Sequence, residues 1–520
     1  MTSSNIFKSS LMMAIATLIS RLLGLVRELS MAMIFGATGL TDAFWVAYRI
    51  PNMLRDLFAE GNFNSAFVPV LTEVSQEEKG EDRKLFWSVF FLLLIVTGII
   101  SLCVTFFSDE IINLMAPSFQ NNPQKFQIAS NLTKMMAFFL PLISFAALSM
   151  GALNTKKIFF IPSLAPAAFN VVMISSIFGV TYILQRNGFE IIYALGIGVL
   201  FGGFVQFIVQ VPLLFKNGFI PTRDISLLSK SVRKIIGRLG IGTIGVAATQ
   251  INLLINTLLA TNAEIGAVSF LSYGFRLFQF PVGILGVSVS GANLVHFSAD
   301  WKAGRKEKAI SVLNTSFALS LFFMIPSTFF LFENSSEIVK IIFERGAFTA
   351  MASEKTSLAL QYYVFGLPFY GIYKVFGPTF FSMDKEKLPV FISIFSIAVN
   401  IVFCLFLTPR YGFQVLALGM SLSIALNSLL QSVFISKLLS LSFNFFVSWR
   451  VLRIIVASLI AYFIMIFFKK FLGTEESLVS QITHLVSSAL LFGIVYLMTI
   501  WPLGEREFVG QLFEKIKKKM

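Results

Sequence analysis

Basic side chains interrupt several long apolar segments of this sequence, and they are its strongest indication of chemistry. A cation at the centre of a bilayer costs about 2.5–3.5 kcal/mol on insertion scales, so it normally meets water, a ligand or an opposite charge. The pattern therefore predicts a cationic cavity that receives an anion. The seven residues concerned are Arg21, Arg27, Arg49, Arg55, Lys134, Arg276 and Lys374.

The first apolar segment carries its polar residues on one face. Ser20, Arg21, Gly24, Arg27 and Glu28 fall within an arc of about 120° on a helix that turns about 100° per residue. Two arginines accompany one glutamate, which favours a cavity wall with surplus positive charge. A structural ion pair between Glu28 and an arginine is the alternative.

The second segment combines acidic and basic residues. Asp42 and Arg49 share a helical face, and Asp42 lies near the segment end, where a structural pair or a polar helix end is expected. Arg55 follows Pro51, which removes a backbone hydrogen bond and bends a helix. The bend could turn Arg55 inward.

Two further cations lie in the second half of the chain. Arg276 has only the neutral Gln279 one turn away, and Lys374 could extend its ammonium group towards the interface. Arginine matches phosphate oxygens with two parallel hydrogen bonds, whereas lysine acts as a point charge. Several arginines around one cavity therefore favour a pyrophosphate over a neutral ligand.

Composition places the chain in a membrane. Of its 520 residues, 56% are hydrophobic and 13% are charged, with a mean hydropathy of +0.80. No phosphate-binding glycine loop, nucleophile elbow or metal-spaced cluster is present, so an enzyme, a cofactor and a metal site are not predicted. The net charge of +14 is attributed to basic cytoplasmic loops rather than to nucleic-acid binding.

Apolar runs of spanning length predict an all-α polytopic membrane protein with about fourteen helices. If both termini are cytoplasmic, the loops assigned inside carry roughly three basic residues for each one outside, which is a strong orientation signal. The runs are 10–35, 40–70, 86–107, 131–153, 159–184, 190–215, 236–260, 266–296, 310–332, 357–381, 388–408, 412–436, 450–470 and 479–502.

An internal repeat is a further hypothesis, which these residues alone leave open. Asn154, Lys157 and Asn170 recur at a constant offset as Asp384, Lys387 and Asn400, within an overall offset of about 225–230. Two six-helix lobes would follow. The predicted domains are a lobe at 1–215, a basic cytoplasmic linker at 216–238, a lobe at 239–437, two additional helices at 450–502 and a basic cytoplasmic tail at 503–520.

One long stretch carries a family resemblance. SRLLGLVRELSMAMIFGATGLTDAFWVAYRIPNMLRDLFAEGNFNSAFVPVLTE (20–73) resembles the MurJ/MviN family of bacterial lipid II flippases. The resemblance continues through FFIPSLAPAAFN (159–170), FRLFQFPVGILGVSVSG (275–291) and ERGAFT (344–349). The family belongs to the superfamily of multidrug, oligosaccharidyl-lipid and polysaccharide exporters. The resemblance implies two six-helix lobes and two extra helices that form a lipid-tail groove.

The implied activity is the alternating-access transfer of lipid II, undecaprenyl-pyrophosphoryl disaccharide-pentapeptide, from the cytoplasmic to the outer leaflet. The resemblance places the protein in the bacterial cytoplasmic (inner) membrane, as a monomer surrounded by membrane lipids. Cell-wall synthesis machinery is a candidate partner. The family's substrate-binding positions correspond to Ser20, Arg21, Arg27, Arg55 and Arg276.

Supporting cavity or ion-pair positions correspond to Glu28, Asp42, Arg49, Lys374 and Gln279. This sequence departs from the family twice. Some relatives carry an acid where Gln279 stands, and some bind sodium through carboxylates on the seventh and eleventh helices. The segments 236–260 and 388–408 contain no Asp or Glu, so membrane potential is the expected energy source.

Two other functions remain open. The protein could export another polyprenyl-linked sugar or a drug, although a cationic-drug exporter should have an acidic cavity. It could also be a membrane scaffold without transport, which would tolerate the loss of its central arginines.

Overall fold

A computed structural model describes residues 3–58, 62–77, 80–283, 287–442, 445–446, 448–471 and 477–501. Every regular element within these ranges is helical, and no β-strand occurs in them. The predicted all-α fold is confirmed. The predicted basic tail at 503–520 lies outside the described residues.

The first half of the described chain forms eleven α-helices. Asn122 accepts a hydrogen bond from the Lys125 amide at 3.1 Å, and Pro123 follows as the first helical residue of the sixth helix. The helices are α1 (Ser3–Phe35), α2 (Gly39–Phe58), α3 (Asn62–Glu77), α4 (Glu81–Phe106), α5 (Ser108–Met115), α6 (Pro123–Ala137), α7 (Phe139–Thr155), α8 (Phe160–Ser175), α9 (Thr181–Arg186), α10 (Tyr193–Ile208) and α11 (Val211–Lys216).

The second half forms eleven more. Ser229, Thr349, Ser448 and Ser477 each accept a backbone hydrogen bond that caps the helix that follows them. The helices are α12 (Lys230–Ala263), α13 (Ala267–Pro281), α14 (Val287–Lys302), α15 (Lys306–Glu333), α16 (Ser335–Phe343), α17 (Ala350–Val364), α18 (Leu367–Ser382), α19 (Lys387–Tyr411), α20 (Gln414–Leu439), α21 (Trp449–Lys469) and α22 (Leu478–Ile500).

The protein is a multi-pass membrane protein. In the part of the chain that the structure describes, nine helical stretches are long and apolar enough to cross a bilayer. Each predicted apolar run overlaps a described helix, but the number fourteen stays a prediction. The nine stretches are Glu81–Phe106, Pro123–Thr155, Phe160–Arg186, Tyr193–Lys216, Lys306–Glu333, Lys387–Tyr411, Gln414–Leu439, Trp449–Lys469 and Leu478–Ile500.

Helix bounds recur between the two halves. α6 begins at Pro123 and α17 at Ala350, which is 227 residues later. The residues with left-handed backbone after α7 and α18, Lys157 and Asp384, are also 227 residues apart. The sequence comparison paired Lys157 with Lys387, and that register is wrong by three residues. Matching single polar residues could not fix the register, because apolar helices resemble one another.

Contacts divide the chain into two compact units, residues 1–269 with 345–348, and residues 270–344 with 349–520. The core of the first unit includes Phe67 and Phe86, from α3 and α4. In the second unit, the Tyr496 hydroxyl of α22 donates to the Phe322 carbonyl of α15 at 2.8 Å, so the last helices belong to that core. The predicted lobe limits and the lipid-tail groove stay predictions.

Residues 345–348 pack against the C-terminal end of α1. The Ala347 amide donates to the Met33 carbonyl at 2.8 Å. Gly36 and Gly346 have left-handed φ angles of 63° and 60°. A Cβ at Gly36 would overlap the Ala347 carbonyl oxygen, and one at Gly346 would overlap the Met33 carbonyl oxygen. Both positions therefore require glycine.

We predict that Gly36→Ala lowers the free energy of unfolding by about 2–5 kcal/mol, through left-handed strain and the overlap with Ala347. Gly80→Ala is the matched control, because Gly80 also has a positive φ, of 96°, but a Cβ there meets nothing within 4 Å. The control should lose only about 1–2 kcal/mol. Denaturant unfolding of the purified protein in detergent measures both losses. Equal losses would contradict the role given to the close backbone contact.

Candidate functional site

Arg27 is fixed where α1 packs against α8. Its Nη2 donates to Glu28 Oε1 at 2.6 Å, and its Nη1 donates to Asn170 Oδ1 at 3.0 Å. Asn170 Nδ2 donates in turn to the Ser20 carbonyl at 3.1 Å. The Glu28 side chain is 2% exposed and that of Arg27 is 18% exposed. The guanidinium group is therefore oriented by two helices, and one of its partners is a buried carboxylate.

A small cavity borders the pair formed by Arg27 and Glu28. Its volume is about 10 Å³, which is close to the minimum for one water molecule. The Phe169 ring lies 5.8 Å from the guanidinium carbon of Arg27. A diphosphate cannot fit this space, so the described conformation is closed at Arg27. The remaining lining residues are Met31, Phe44, Trp45, Tyr48, Met173 and Val199.

Three other predicted arginines belong to the same compact unit as Arg27. Arg55 lies close enough to Arg27 for the two positive charges to repel each other. Arg49 and Arg55 are half-buried, whereas Arg21 is exposed. Arg21 makes no ion pair or hydrogen bond with the described residues. The structure therefore brings Arg27 and Arg55 together and leaves Arg21 uncompensated within the described ranges.

Asp42 has a different environment from the arginines. Its carboxylate accepts the Gly266 amide at 2.6 Å, the Ser269 amide at 3.0 Å and the Ser269 hydroxyl at 2.8 Å. The Lys125 ammonium lies 3.8 Å from the same carboxylate, which is 1% exposed. These donors surround the N-terminus of α13, where unpaired backbone amides and the helix dipole stabilise an anion. Asp42 therefore connects α2 to the start of α13.

The remaining predicted site residues belong to the second compact unit. Arg276 and Gln279 are exposed on α13, and Lys374 is half-buried on α18. The Lys374 ammonium lies 5.3 Å from the centre of the Tyr370 ring, a cation–π distance. The convergence of Arg276 with the arginines of α1 stays a prediction.

Sequence reasoning missed three partners in this region. Asn170 entered it only as a member of the repeat, and Lys125 only as an outside loop charge. Their roles depend on tertiary contacts between segments far apart in the chain, at 27 and 170 or at 42 and 125. Asn170 offered one signal, since a carboxamide within an apolar segment needs a hydrogen-bond partner. The amides at the start of α13 offered none.

Metal and thiol chemistry have no centre in the part of the chain that the structure describes. No three His, Cys, Asp or Glu side chains group there in a way that could hold a metal ion. Cys103 is an exposed free thiol and Cys404 a buried one.

Comparison with known proteins gives consistent matches over nearly the whole chain. The family profile described as lipid II flippase MurJ matches residues 31–486. A probable lipid II flippase MurJ of Buchnera aphidicola subsp. Schizaphis graminum is 33% identical, over 98% of this chain and 100% of the relative. The lipid II flippase MurJ of Burkholderia cenocepacia is 30% identical, over 96% and 98% of the two chains.

Solved structures agree with the sequence matches. A lipid II flippase MurJ in an inward closed conformation aligns with a TM-score of 0.80 at 26% identity, over 96% of this chain and 100% of that one. An inward-facing multidrug resistance MATE family transporter aligns with a TM-score of 0.66, over 80% and 98% of the two chains. At 14% identity, the second match shows a shared fold only.

We predict that Arg27→Ala destabilises the protein, because it removes the ion-pair partner of a buried Glu28. Breaking a buried pair typically costs about 3–5 kcal/mol. Adding Glu28→Gln to Arg27→Ala should recover much of that loss, and a double-mutant cycle of unfolding free energies measures the coupling. Arg21→Ala is the control on the same helix, with an expected change within about 0.5 kcal/mol. The ion-pair assignment fails if Arg27→Ala is no more destabilising than Arg21→Ala.

Proposed function

Because the chain belongs to the MurJ family of lipid II flippases, we propose that it moves lipid II from the cytoplasmic to the outer leaflet of the bacterial cytoplasmic membrane. The protein then acts as a transporter and not as an enzyme, since the lipid crosses without a change in its covalent bonds. Both termini and the linker at 216–238 lie on the cytoplasmic side in this proposal, as the basic loops predict.

The arginines of α1 supply the anion site. Asn170 and Glu28 hold the Arg27 guanidinium, and Arg21 lies exposed on the same helix. The second partner of Arg27 is a neutral amide, so the three charged side chains of α1 keep a net positive charge. A diphosphate would bind Arg21 and Arg27 through paired hydrogen bonds. Arg55 and Arg276 are assigned further contacts with the same anion.

Closure around Arg27 supports an alternating-access cycle. The cavity beside Arg27 holds about one water molecule in the described conformation, so substrate must bind in a more open one. A ligand can shift this equilibrium only if it binds the two conformations with different affinity. Neutralisation of like charges by the diphosphate provides such a difference, because Arg27 and Arg55 repel each other when no anion is present.

The opposite end of the pathway depends on a second set of contacts. Asp42 binds the start of α13, and residues 345–348 pack on the end of α1. With the N-terminus of α1 on the cytoplasmic side, both contacts lie at the outer end of the first unit. They would break when the pathway opens outward.

Membrane potential is the proposed energy source. The predicted spanning segments 236–260 and 388–408 carry no carboxylate that could bind sodium. Movement of one charge through the membrane field corresponds to about 2.3 kcal/mol per 100 mV. That energy is large enough to bias the conformational equilibrium of the loaded transporter.

We predict that Arg21→Gln lowers the rate of lipid II flipping about tenfold or more, since a hydrogen bond to a charged group contributes about 1.5–3 kcal/mol. Arg21→Lys should recover the rate in part, because it restores the charge but not the fork geometry. The assay uses vesicles reconstituted with the protein and fluorescent lipid II, and an impermeant quencher reports the leaflet. Arg186→Gln, at an exposed arginine on α9, is the control.

A normal rate with Arg21→Gln, at normal protein content of the vesicles, would contradict the assignment of the diphosphate. If the wild-type protein itself gave no flipping in these vesicles, a scaffold without transport would replace the proposed function.

A further inference from the structure

The linker, residues 216–238, is attached along the end of α4. Its backbone carbonyls accept hydrogen bonds from Arg83 and Trp87, and one of its amides donates to Ser88. The main contacts are Arg83 Nε to the Ile220 carbonyl at 2.6 Å, Trp87 Nε1 to the Ile220 carbonyl at 2.9 Å, the Ser226 amide to Ser88 Oγ at 3.0 Å, and Lys84 Nζ to the Asp224 carboxylate at 2.6 Å.

One buried side chain anchors the linker. Phe219 is 1% exposed, and its ring centre lies 5.0 Å from that of Phe86. The Lys156 ammonium lies 5.4 Å from the same ring. Polar contacts to α4 and this apolar anchor hold the linker at a fixed position on the first unit.

The attachment point indicates how deep in the bilayer the linker lies. α4 exposes Leu94, Ile99 and Leu102 along its length, as a helix does that faces lipid. Trp87 lies one to two turns from the start of the same helix, and tryptophan concentrates at the level of lipid headgroups. Because Trp87 donates to a linker carbonyl, the linker lies at headgroup depth.

The outward surface of the linker is strongly cationic. Six basic residues and one acid give residues 216–238 a net charge of +5, and the acid, Asp224, is paired with Lys84. On the first turns of α12, Lys230, Arg233 and Arg238 fall within an arc of about 140°, at about 100° per residue. All six basic side chains are exposed: Lys216, Arg223, Lys230, Arg233, Lys234 and Arg238.

Four of these cations have no ion pair in the part of the chain that the structure describes: Lys216, Arg223, Lys230 and Arg233. Lys234 pairs with Glu73 at 2.6 Å, and hydrogen bonding to Lys234 lowers the pKa of Glu73 below its usual value. Apolar side chains lie between the cations, with Leu228 67% exposed and Ile220 52% exposed. Alternating exposed cations and apolar groups at headgroup depth are suited to a lipid surface.

We propose that the linker is a binding surface for anionic phospholipid headgroups of the adjacent leaflet. Lysine and arginine attract anionic lipids when they lie within a Debye length of the membrane surface. The apolar side chains enter the boundary between headgroups and acyl chains, and the contacts to α4 hold the cations against the phosphates. This inference does not depend on which lipid the protein transports.

The test compares phosphatidylglycerol with phosphatidylcholine as probes on the purified full-length protein in neutral detergent. Native mass spectrometry counts the bound lipids at equal concentrations of the two probes. Wild-type protein should retain phosphatidylglycerol about tenfold more than phosphatidylcholine. The preference should largely disappear in a fourfold variant with Lys216→Gln, Arg223→Gln, Lys230→Gln and Arg233→Gln.

A fourfold control removes the same charge from basic residues of the loops assigned to the other side of the membrane, with Arg186→Gln, Lys340→Gln, Arg410→Gln and Lys470→Gln. This control should keep the preference of the wild-type protein. Equal loss in both variants would show a general charge effect and overturn the proposal. An unchanged preference in the linker variant would overturn it as well, since the anionic lipid would then bind elsewhere.

A second measurement covers the case in which the fourfold variant does not fold. A nitroxide at Leu228→Cys, in protein with Cys103→Ala and Cys404→Ala, reports its depth in vesicles through its accessibility to oxygen. Adding phosphatidylglycerol to phosphatidylcholine vesicles should raise oxygen accessibility at this position, because Leu228 moves towards the acyl chains. An accessibility that is the same in both vesicles, and equal to that of a water-exposed label, would overturn the proposal.

Discussion

The guanidinium group of Arg27, placed among apolar helices, is the constraint on which the rest of the first unit depends. Its desolvation is costly, and the structure offsets that cost with Glu28 at 2.6 Å and Asn170 at 3.0 Å. Asn170 belongs to α8, so satisfying one charge also fixes how α1 packs against α8. Gly24 permits the approach, since a Cβ there would lie 3.6 Å from the Asn170 amide nitrogen.

This arrangement makes the site selective for conformation as well as for charge. Arg27 is held in a cavity that is too small for a diphosphate, and Arg55 adds positive charge nearby. An anion that enters from a more open state relieves the repulsion and favours closure. At the outer end, Asp42 and residues 345–348 hold α1, α2 and the start of α13 together. In the proposed cycle, the two ends open in turn.

The fold was predictable because spanning helices are long, apolar and bounded by charge, and each predicted run falls on a described helix. The stripe on α1 likewise predicted that Arg27 and Glu28 share a face. Tertiary contacts were not predictable. Asn170 and Lys125 acquire their roles from residues more than 80 positions away, and the closed cavity depends on aromatic side chains from three helices. The repeat was detectable, but its register of 227 needed the helix bounds.

The central claim is that this protein carries lipid II to the outer leaflet, and depletion of the protein in its source cell tests it most directly. The measurement is the amount of each lipid-linked precursor and its leaflet, read by an impermeant reagent that modifies only the outer one. The account predicts that lipid II accumulates on the cytoplasmic leaflet and falls on the outer leaflet. Accumulation of a different lipid-linked sugar, or an unchanged distribution of lipid II between the leaflets, would contradict it.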